Sequence, residues 1–574
     1  MTGLGFIVST LHALAPEPSQ AQAADPTNAS PVVVGNGSRP EPVWSEDQRA
    51  HWAFQPIRRG NPPTTQTVGW VTNPIDAFIL RPIEELGIQP APAAEKAALL
   101  RRVCLDLTGL PPTPEQLESF LKDNQPDAYE RLVESLLASP AHGEKWARMW
   151  LDLARYAESD GFKSDKTRPW AYRYRDWVVK ALNDDMPYDR FLRLQLAGDE
   201  LEPAHPDAFI ATGFNRNWPF EDNNKVPGLN RQLMLDDMTD TTAAVLPGLT
   251  VGCARCHDHK YDPISQKDYY RLQAFFTASA PRDDYPLAPP LEVALVRAWQ
   301  SEREAAESVV ATAIADIEHP YLRALLKNQI AVMPRDVKAA FETDPRQRTK
   351  KQAEAVEANL KKMKYTAEDL AARMSSGDRK VWSDLGRMRK SLERRESDGL
   401  PVAGGMTDEP GEPPPARMFF KGNFQKPGEP VAPGLLSIFV PKGASPESMI
   451  TIERRSNGES VTSGRRAALA EWVTRPNHPL TARVIVNRLW QHHFGRGIVS
   501  TPSDFGAQGN EPSHPELLDW LASELVRQGW SLKAMHRLMV LSSTYRQSSI
   551  PSESTLAADP DNTLFARMAR RRID

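Results

Sequence analysis

From about residue 74 onward, apolar side chains return every three or four positions, the spacing that lines one face of an α-helix. In KAALLRRVCLDLTGLPP, the recurrence of Leu99, Val103 and Leu107 predicts a helix closed by Gly109 and the Pro111-Pro112 pair, with Cys104 as a core thiol. Ser139-Pro140 marks the entry to the next helix, expected to run to Gly161. Within it Arg148, Asp152, Arg155 and Tyr156 share a face, while His142, Trp146 and Trp150 follow at four-residue spacing. Residues 168–200 predict two amphipathic helices broken at Met186-Pro187. Then NRQLMLDDMTDTTAAV carries a helix into a cysteine-bearing loop, and SQKDYYRLQAFF resumes helix with Ser265 as its N-cap.

The pattern changes after residue 285. Residues 286–400 are rich in Ala, Glu, Lys, Arg and Leu, as in KKQAEAVEANLKKMKYTAEDLAARM, and read as a charged helical spacer with solvated faces. Proline and glycine crowd residues 401–415, which reads as a linker. RMFFKGNFQKPGEPVAPGLLSIF alternates and turns like short strands, and helical spacing returns near Gly464. The expected fold is mainly α: multi-helical domains, a charged helical spacer and a few short strands before the C-terminal helical domain. The expected divisions are 1–45, 46–285, 286–400, 401–415 and 416–574.

Composition narrows this further. With 70 basic against 74 acidic residues the net charge is −4, so no general basic field exists to hold nucleic acid. No stretch approaches the ~18 uncharged apolar residues needed to span a bilayer, so no integral membrane segment is expected. Residues 1–45 are small, polar and proline-rich and read as disordered or signal-like; Leu4–Ala15 is apolar and Ala21-Gln22-Ala23 resembles a cleavage site, but no basic residue precedes Arg39.

Against only three cysteines, GLTVGCARCHDHKYDPIS holds two, Cys253 and Cys256, followed by His257 and His259. Four readings fit. In a haem c site both thiols add to the porphyrin vinyl groups and His257 is the axial ligand; random placement at this composition gives such a pentapeptide in roughly a few chains per ten thousand. A zinc site would use Cys253, Cys256, His257 and His259, although neighbouring side chains fit a tetrahedron poorly. A redox dithiol lacks the flanking strand of a βαβ unit, and a structural disulfide leaves the histidine incidental. No methionine occurs between His257 and Met333, so a sixth iron ligand would come from elsewhere: His142, Met234 or Met238, with His259 too near in sequence to reach the opposite face. Asp236, Asp237 and Asp240, with Asp258 and Asp262, are a calcium candidate or a set of solvated helix charges.

Two further groups carry polar chemistry. Arg148, Asp152, Arg155 and Tyr156 are either an exposed ion-paired stripe or a network beside a site. Downstream, Arg483, Asn487 and Gln491 recur at four-residue spacing beside Trp490, His492 and His493, as a packing network or a site, and His514 reads as an exposed loop histidine.

The cysteine loop, together with HGEKWARMWLDLARYAESDGF, RPWAYRYRDWV and FLRLQLAGD, resembles the planctomycete-type cytochrome-associated domain of unknown function, the second planctomycete cytochrome domain, over residues 50–280. GRRAALAEWVTRPNHPLTARVIVNRLWQHHFGRGIVSTPSDFGAQGNEPSHPELLDWL and the sequence after it resemble the companion planctomycete-specific C-terminal domain. The resemblance implies a periplasmic or secreted protein, associated with polysaccharide breakdown. It also implies an N-terminal cytochrome domain with its own CxxCH, although no second CxxCH precedes residue 253, and a C-terminal domain expected to be truncated after Asp574. The first expectation is therefore an extracytoplasmic c-type haem protein, held through Cys253, Cys256 and His257, with a redox partner of unknown kind. The alternative is a carbohydrate-binding or hydrolytic protein in which the loop is a disulfide or metal clamp, and Trp146, Trp150, Trp170, Tyr172 and Trp490 stack on a glycan.

Overall fold

The computed structural model describes residues 41–393, 400–456 and 460–572. The expectation for 1–45 thus falls almost wholly outside the described residues. The protein is mainly α-helical. Helix α1 (Pro74–Glu85) is capped by Asn73 and starts on proline; α2 (Lys96–Thr108) ends at Gly109, whose φ of 72° gives the left-handed C-cap that glycine adopts without strain. After α3 (Ala128–Leu137) comes α4 (Pro140–Leu153), which stops well before Gly161. The reason is local: Arg155 takes a φ of 57° and its guanidinium turns to Asp237 at 2.6 Å, so the helix cannot continue through it. Arg155 and Tyr156 therefore leave the face they were expected to share with Arg148 and Asp152.

Helices α5 (Tyr172–Asn183) and α6 (Tyr188–Leu201) precede α7 (Leu229–Val245), which delivers the chain into the cysteine loop. Helix α8 (Gln266–Gln273) follows, with the Ser265 side chain accepting from the Asp268 N–H and Asp268 reaching back in a capping box. Strand β1 (Ser279–Pro286) then leads to the spacer. Its long helix α9 (Pro290–Leu325) packs against α10 (Ser376–Glu393), and a small second core of Leu322, Leu326, Phe341, Val356 and Leu370 lies within it. The spacer thus buries apolar surface of its own, which its charged composition concealed.

The stretch expected to be a linker contributes strand β2 (Val402–Asp408), antiparallel to β1 with Ser279 opposite Asp408 and Pro286 opposite Val402. Its Gly404 and Gly405 looked like linker residues but are there for close approach. A Cβ at Gly404 would sit 2.2 Å from the Trp170 ring, and one at Gly405 would sit 2.5 Å from Thr212 Oγ1. The hairpin β3 (Ala416–Phe419) and β4 (Pro427–Val431) lies against α8, and α11 (Arg465–Val473), α12 (Thr481–Phe494), α13 (Pro515–Arg527) and α14 (Leu532–Val540) complete the chain.

The N-terminal and C-terminal helical regions share one hydrophobic core, running from Ala53 to Met568. Two polar joints fasten them. Buried Asp76 at the start of α1 accepts from the backbone N–H groups of Ser543 and Thr544. Arg466 at the start of α11 is fully buried, with both Asp199 oxygens at 2.8 Å, Asp408 Oδ1 at 3.0 Å and Glu200 Oε1 at 3.6 Å. One guanidinium therefore faces three carboxylates. Burial pushes Glu200 up to about 8, against the pull of Arg466, while Asp408, although buried, is held below the usual carboxylate range by Arg466 and Ser463. Among the described residues no helix is long and apolar enough to cross a membrane.

Candidate functional site

Leu246-Pro247-Gly248 ends α7, and Gly252–Arg255 form a single 3-10 turn that presents the cysteines. The turn is pinned from beneath. The Arg255 carbonyl accepts from Tyr270 Oη and Gln266 Nε2, both at 2.9 Å, and the Arg255 guanidinium pairs with Asp236 at 3.0 Å. Both cysteines are unpaired thiols, Cys253 exposed and Cys256 half-buried, so the disulfide of the alternative reading is not formed. Gly422, between β3 and β4, lies directly over Cys256: a Cβ there would sit 2.6 Å from Sγ.

The two histidines of the loop differ. His257 is exposed, and its Nδ1 lies 2.7 Å from the Asp258 carbonyl oxygen, which can only accept; the proton is thereby assigned to Nδ1 and Nε2 is left as a free lone pair. His259 is turned inward, and its Nδ1 accepts from the Asp262 N–H at 2.8 Å, so it is not offered to a metal alongside His257. That removes the fourth ligand from the zinc reading.

The five aspartates of the calcium reading are dispersed. Asp236 is taken up by Arg255, Tyr269, Gln232 and Gln273, Asp237 by Arg155, Asp258 by the Gln266 N–H and Asp262 by the Ala507 N–H. Asp240 faces Gly252 of the turn with one oxygen lacking a donor, and burial, then the nearby Asp236, pushes it up to about 6. Among the described residues no group of three or more His, Cys, Asp or Glu gathers as a metal cage.

The three residues offered as sixth iron ligands all lie in the packed interior. Met234 and Met238 are buried in the core on α7, and His142 donates Nδ1–H to the Leu107 carbonyl at 3.0 Å. None presents its donor atom at the surface where His257 lies.

His142 instead opens onto a cavity of about 220 Å³ between α4 and α12. Its ring centroid is 5.2 Å from His536, whose own ring is 4.1 Å from Trp146, and His493 Nε2 lies 2.8 Å from His536 Nδ1. Burial holds His142 down at about 4 and drives His493 and His536 far below the ordinary imidazole value, so the cluster is neutral at pH 7. His492 and Asp152 also line the cavity, whereas Arg148 and Tyr156 line a separate open groove with Asp152 at its edge. The expected polar network is thus split: Asp152 and His492 at the cavity, His493 behind it, Arg148 and Tyr156 outside, and Arg155 committed to Asp237.

Of the aromatic residues proposed to stack on a glycan, Trp146, Trp150, Trp170 and Trp490 are buried, and only Tyr172 faces solvent. Trp490 is spent on packing, stacked on Phe494 at 3.9 Å, Trp146 and Trp150 face the internal cavity, and no exposed platform is made from these five. His514 is likewise buried, against Phe565, and burial lowers it to about 4.

Sequence reasoning missed His536 and Arg488. Each sits in an otherwise ordinary amphipathic helix; the available signal was an arginine set among Val484, Ile485, Val486 and Leu489, where an exposed face would not be expected.

Residues 74–280 match the family model PSCyt2, a protein of unknown function (DUF1549), and residues 465–574 match PSD1, a protein of unknown function (DUF1553). No curated protein matches the chain, and no solved structure does.

Proposed function

We propose a function for this chain on the premise that it belongs to the planctomycete cytochrome-associated family, through its PSCyt2 and PSD1 domains: it is an extracytoplasmic c-type haem-binding protein with a redox role linked to polysaccharide breakdown. The observation that carries the reading is the state of the loop. Two unpaired thiols, one of them exposed, stand with two residues between them, and the adjacent exposed His257 has Nδ1 engaged with the Asp258 carbonyl, which leaves Nε2 as its free nitrogen. A Nδ1–H···O=C bond of this kind fixes the tautomer and orients the ring that a histidine ligand needs. Cys253 and Cys256 would hold the haem covalently and His257 its iron; the haem, when bound, supplies one-electron transfer.

The chain's own residues set the terms of attachment. Arg255, held by Asp236, Tyr270 and Gln266, fixes the turn between the two thiols. Gly422 covers one side of Cys256, so attachment there requires the hairpin β3–β4 to give way or the thiol to be reached from its other side.

The test is a reduced-pyridine spectrum of denatured, washed protein made with the cytochrome c maturation machinery, beside Cys253→Ala/Cys256→Ala. Covalent haem in the wild type and none in the double variant is the expected result. Absence of covalent haem from the folded wild-type protein overturns the reading.

A further inference from the structure

A buried cationic side chain lines the cavity between α4 and α12. Arg488, on α12, is buried, and among the described residues no carboxylate pairs with it. Its two Nη groups donate to the Val245 and Ala244 carbonyls at 2.5 and 3.1 Å, the last residues of α7, and Ser503 Oγ lies at 3.5 Å. Those helix-end carbonyls contribute only about half a unit of negative charge. Its Nε has no acceptor, nor does Nε1 of Trp146, and both side chains line the cavity.

Most of the remaining wall is apolar. Trp150, Tyr188, Phe191 and Leu489 form its body, and His142 and His536 are uncharged at pH 7 because burial holds them so. Asp152, the other charged lining residue, is exposed and also edges the outer groove, which places it at the mouth rather than beside Arg488. An isolated guanidinium in an aromatic slot is a site for a single negative charge on a flat, apolar body.

Size selects the class. An apolar cavity of ~150 Å³ takes one benzene, and drug-sized pockets begin near ~300 Å³. A cavity of about 220 Å³ therefore suits one ring with one small polar group. With both Nη groups on the Val245 and Ala244 carbonyls and Nε alone without an acceptor, the single positive charge has one nitrogen to spare, which suits one singly charged group rather than a doubly charged phosphate ester. We infer that this cavity, closed jointly by α4 and α12, is a binding site for a small aromatic carboxylate, recognised by Arg488 and enclosed by Trp146 and Trp150.

The test uses the full chain and two probes of nearly equal shape, benzoate and neutral benzamide, followed by tryptophan fluorescence and calorimetry. Benzoate should bind about tenfold or more tightly than benzamide. Arg488→Gln should abolish that preference, and Leu153→Trp, which fills the cavity from a partly exposed wall position, should weaken benzoate binding at least about tenfold. Equal binding of the two probes, binding of neither, or benzoate affinity unchanged by Leu153→Trp overturns the inference. Should Arg488→Gln fail to fold, the wild-type comparison and Leu153→Trp decide the matter alone.

Discussion

Replacing Glu200 by glutamine should stabilise this protein, and do so increasingly as the solution becomes alkaline. Glu200 is buried in the joint where Arg466 meets Asp199 and Asp408, and the single guanidinium is already engaged bidentately by Asp199 and closely by Asp408. Glu200 stands farthest from it, at 3.6 Å, so its charge is the least compensated of the three. Burial accordingly lifts it from 4.5 to about 8, and its Oε1 has no hydrogen-bond partner. In the unfolded chain the same group ionises near 4.5, so ionisation favours unfolding as pH rises from there to about 8, and the cost levels off above that. At about 1.4 kcal/mol per pKa unit the full cost is of order 5 kcal/mol. Glutamine keeps an oxygen for the Ala467 N–H, which Glu200 accepts at 2.8 Å, and carries no charge at any pH. Denaturant midpoints of wild type and Glu200→Gln at pH 5, 7 and 9 give the readout. The two proteins should be close at pH 5 and diverge in favour of the variant by a few kcal/mol at pH 9. A difference that stays flat between pH 5 and 9, or a variant weaker than wild type at pH 9, would refute the reasoning.

Two other substitutions probe the same architecture. Arg466→Met leaves the buried Asp199 and Asp408 carboxylates without their cation and should cost about 3–5 kcal/mol at pH 7, measured by chemical denaturation. Gly422→Ala places a methyl 2.6 Å from Cys256 Sγ on a backbone with φ of 73°, so it should lower stability by about 1–3 kcal/mol in thermal unfolding and alter the rate at which a thiol reagent labels Cys256 but not Cys253.

Local signals in the sequence were enough for most helices. The spacing of Leu99, Val103 and Leu107, the glycine at 109 and the serine at 265 each act within a few residues, and the structure uses them in that way. The cysteine loop was legible because its chemistry is contiguous. What was not legible depended on partners far along the chain. Gly404 and Gly405 look the same in a linker and in a strand pressed against Trp170 and Thr212, and only the fold distinguishes them. Arg155 fitted a helical face until Asp237, 82 residues later, drew it away. The cavity is the clearest case: His142, Arg488 and His536 come from three separated helices, and nothing near any one of them in sequence announces the other two. Trp170 and Trp490 misled in the opposite sense, since an aromatic side chain suits a core as well as a sugar surface, and here it serves the core.

The pairing of β1 with β2 has a consequence for how this chain can vary. Pro286 and Val402 are partners across one antiparallel ladder, so the polypeptide re-enters the body one strand spacing from where it departed. Everything between them, including α9 and α10, is topologically a very long hairpin loop with a small core of its own. Lengthening, shortening or exchanging it asks the two strands only to stay side by side. The arm is thus a mounting point where residues can be gained or lost while the cysteine turn and the histidine-lined cavity keep their geometry.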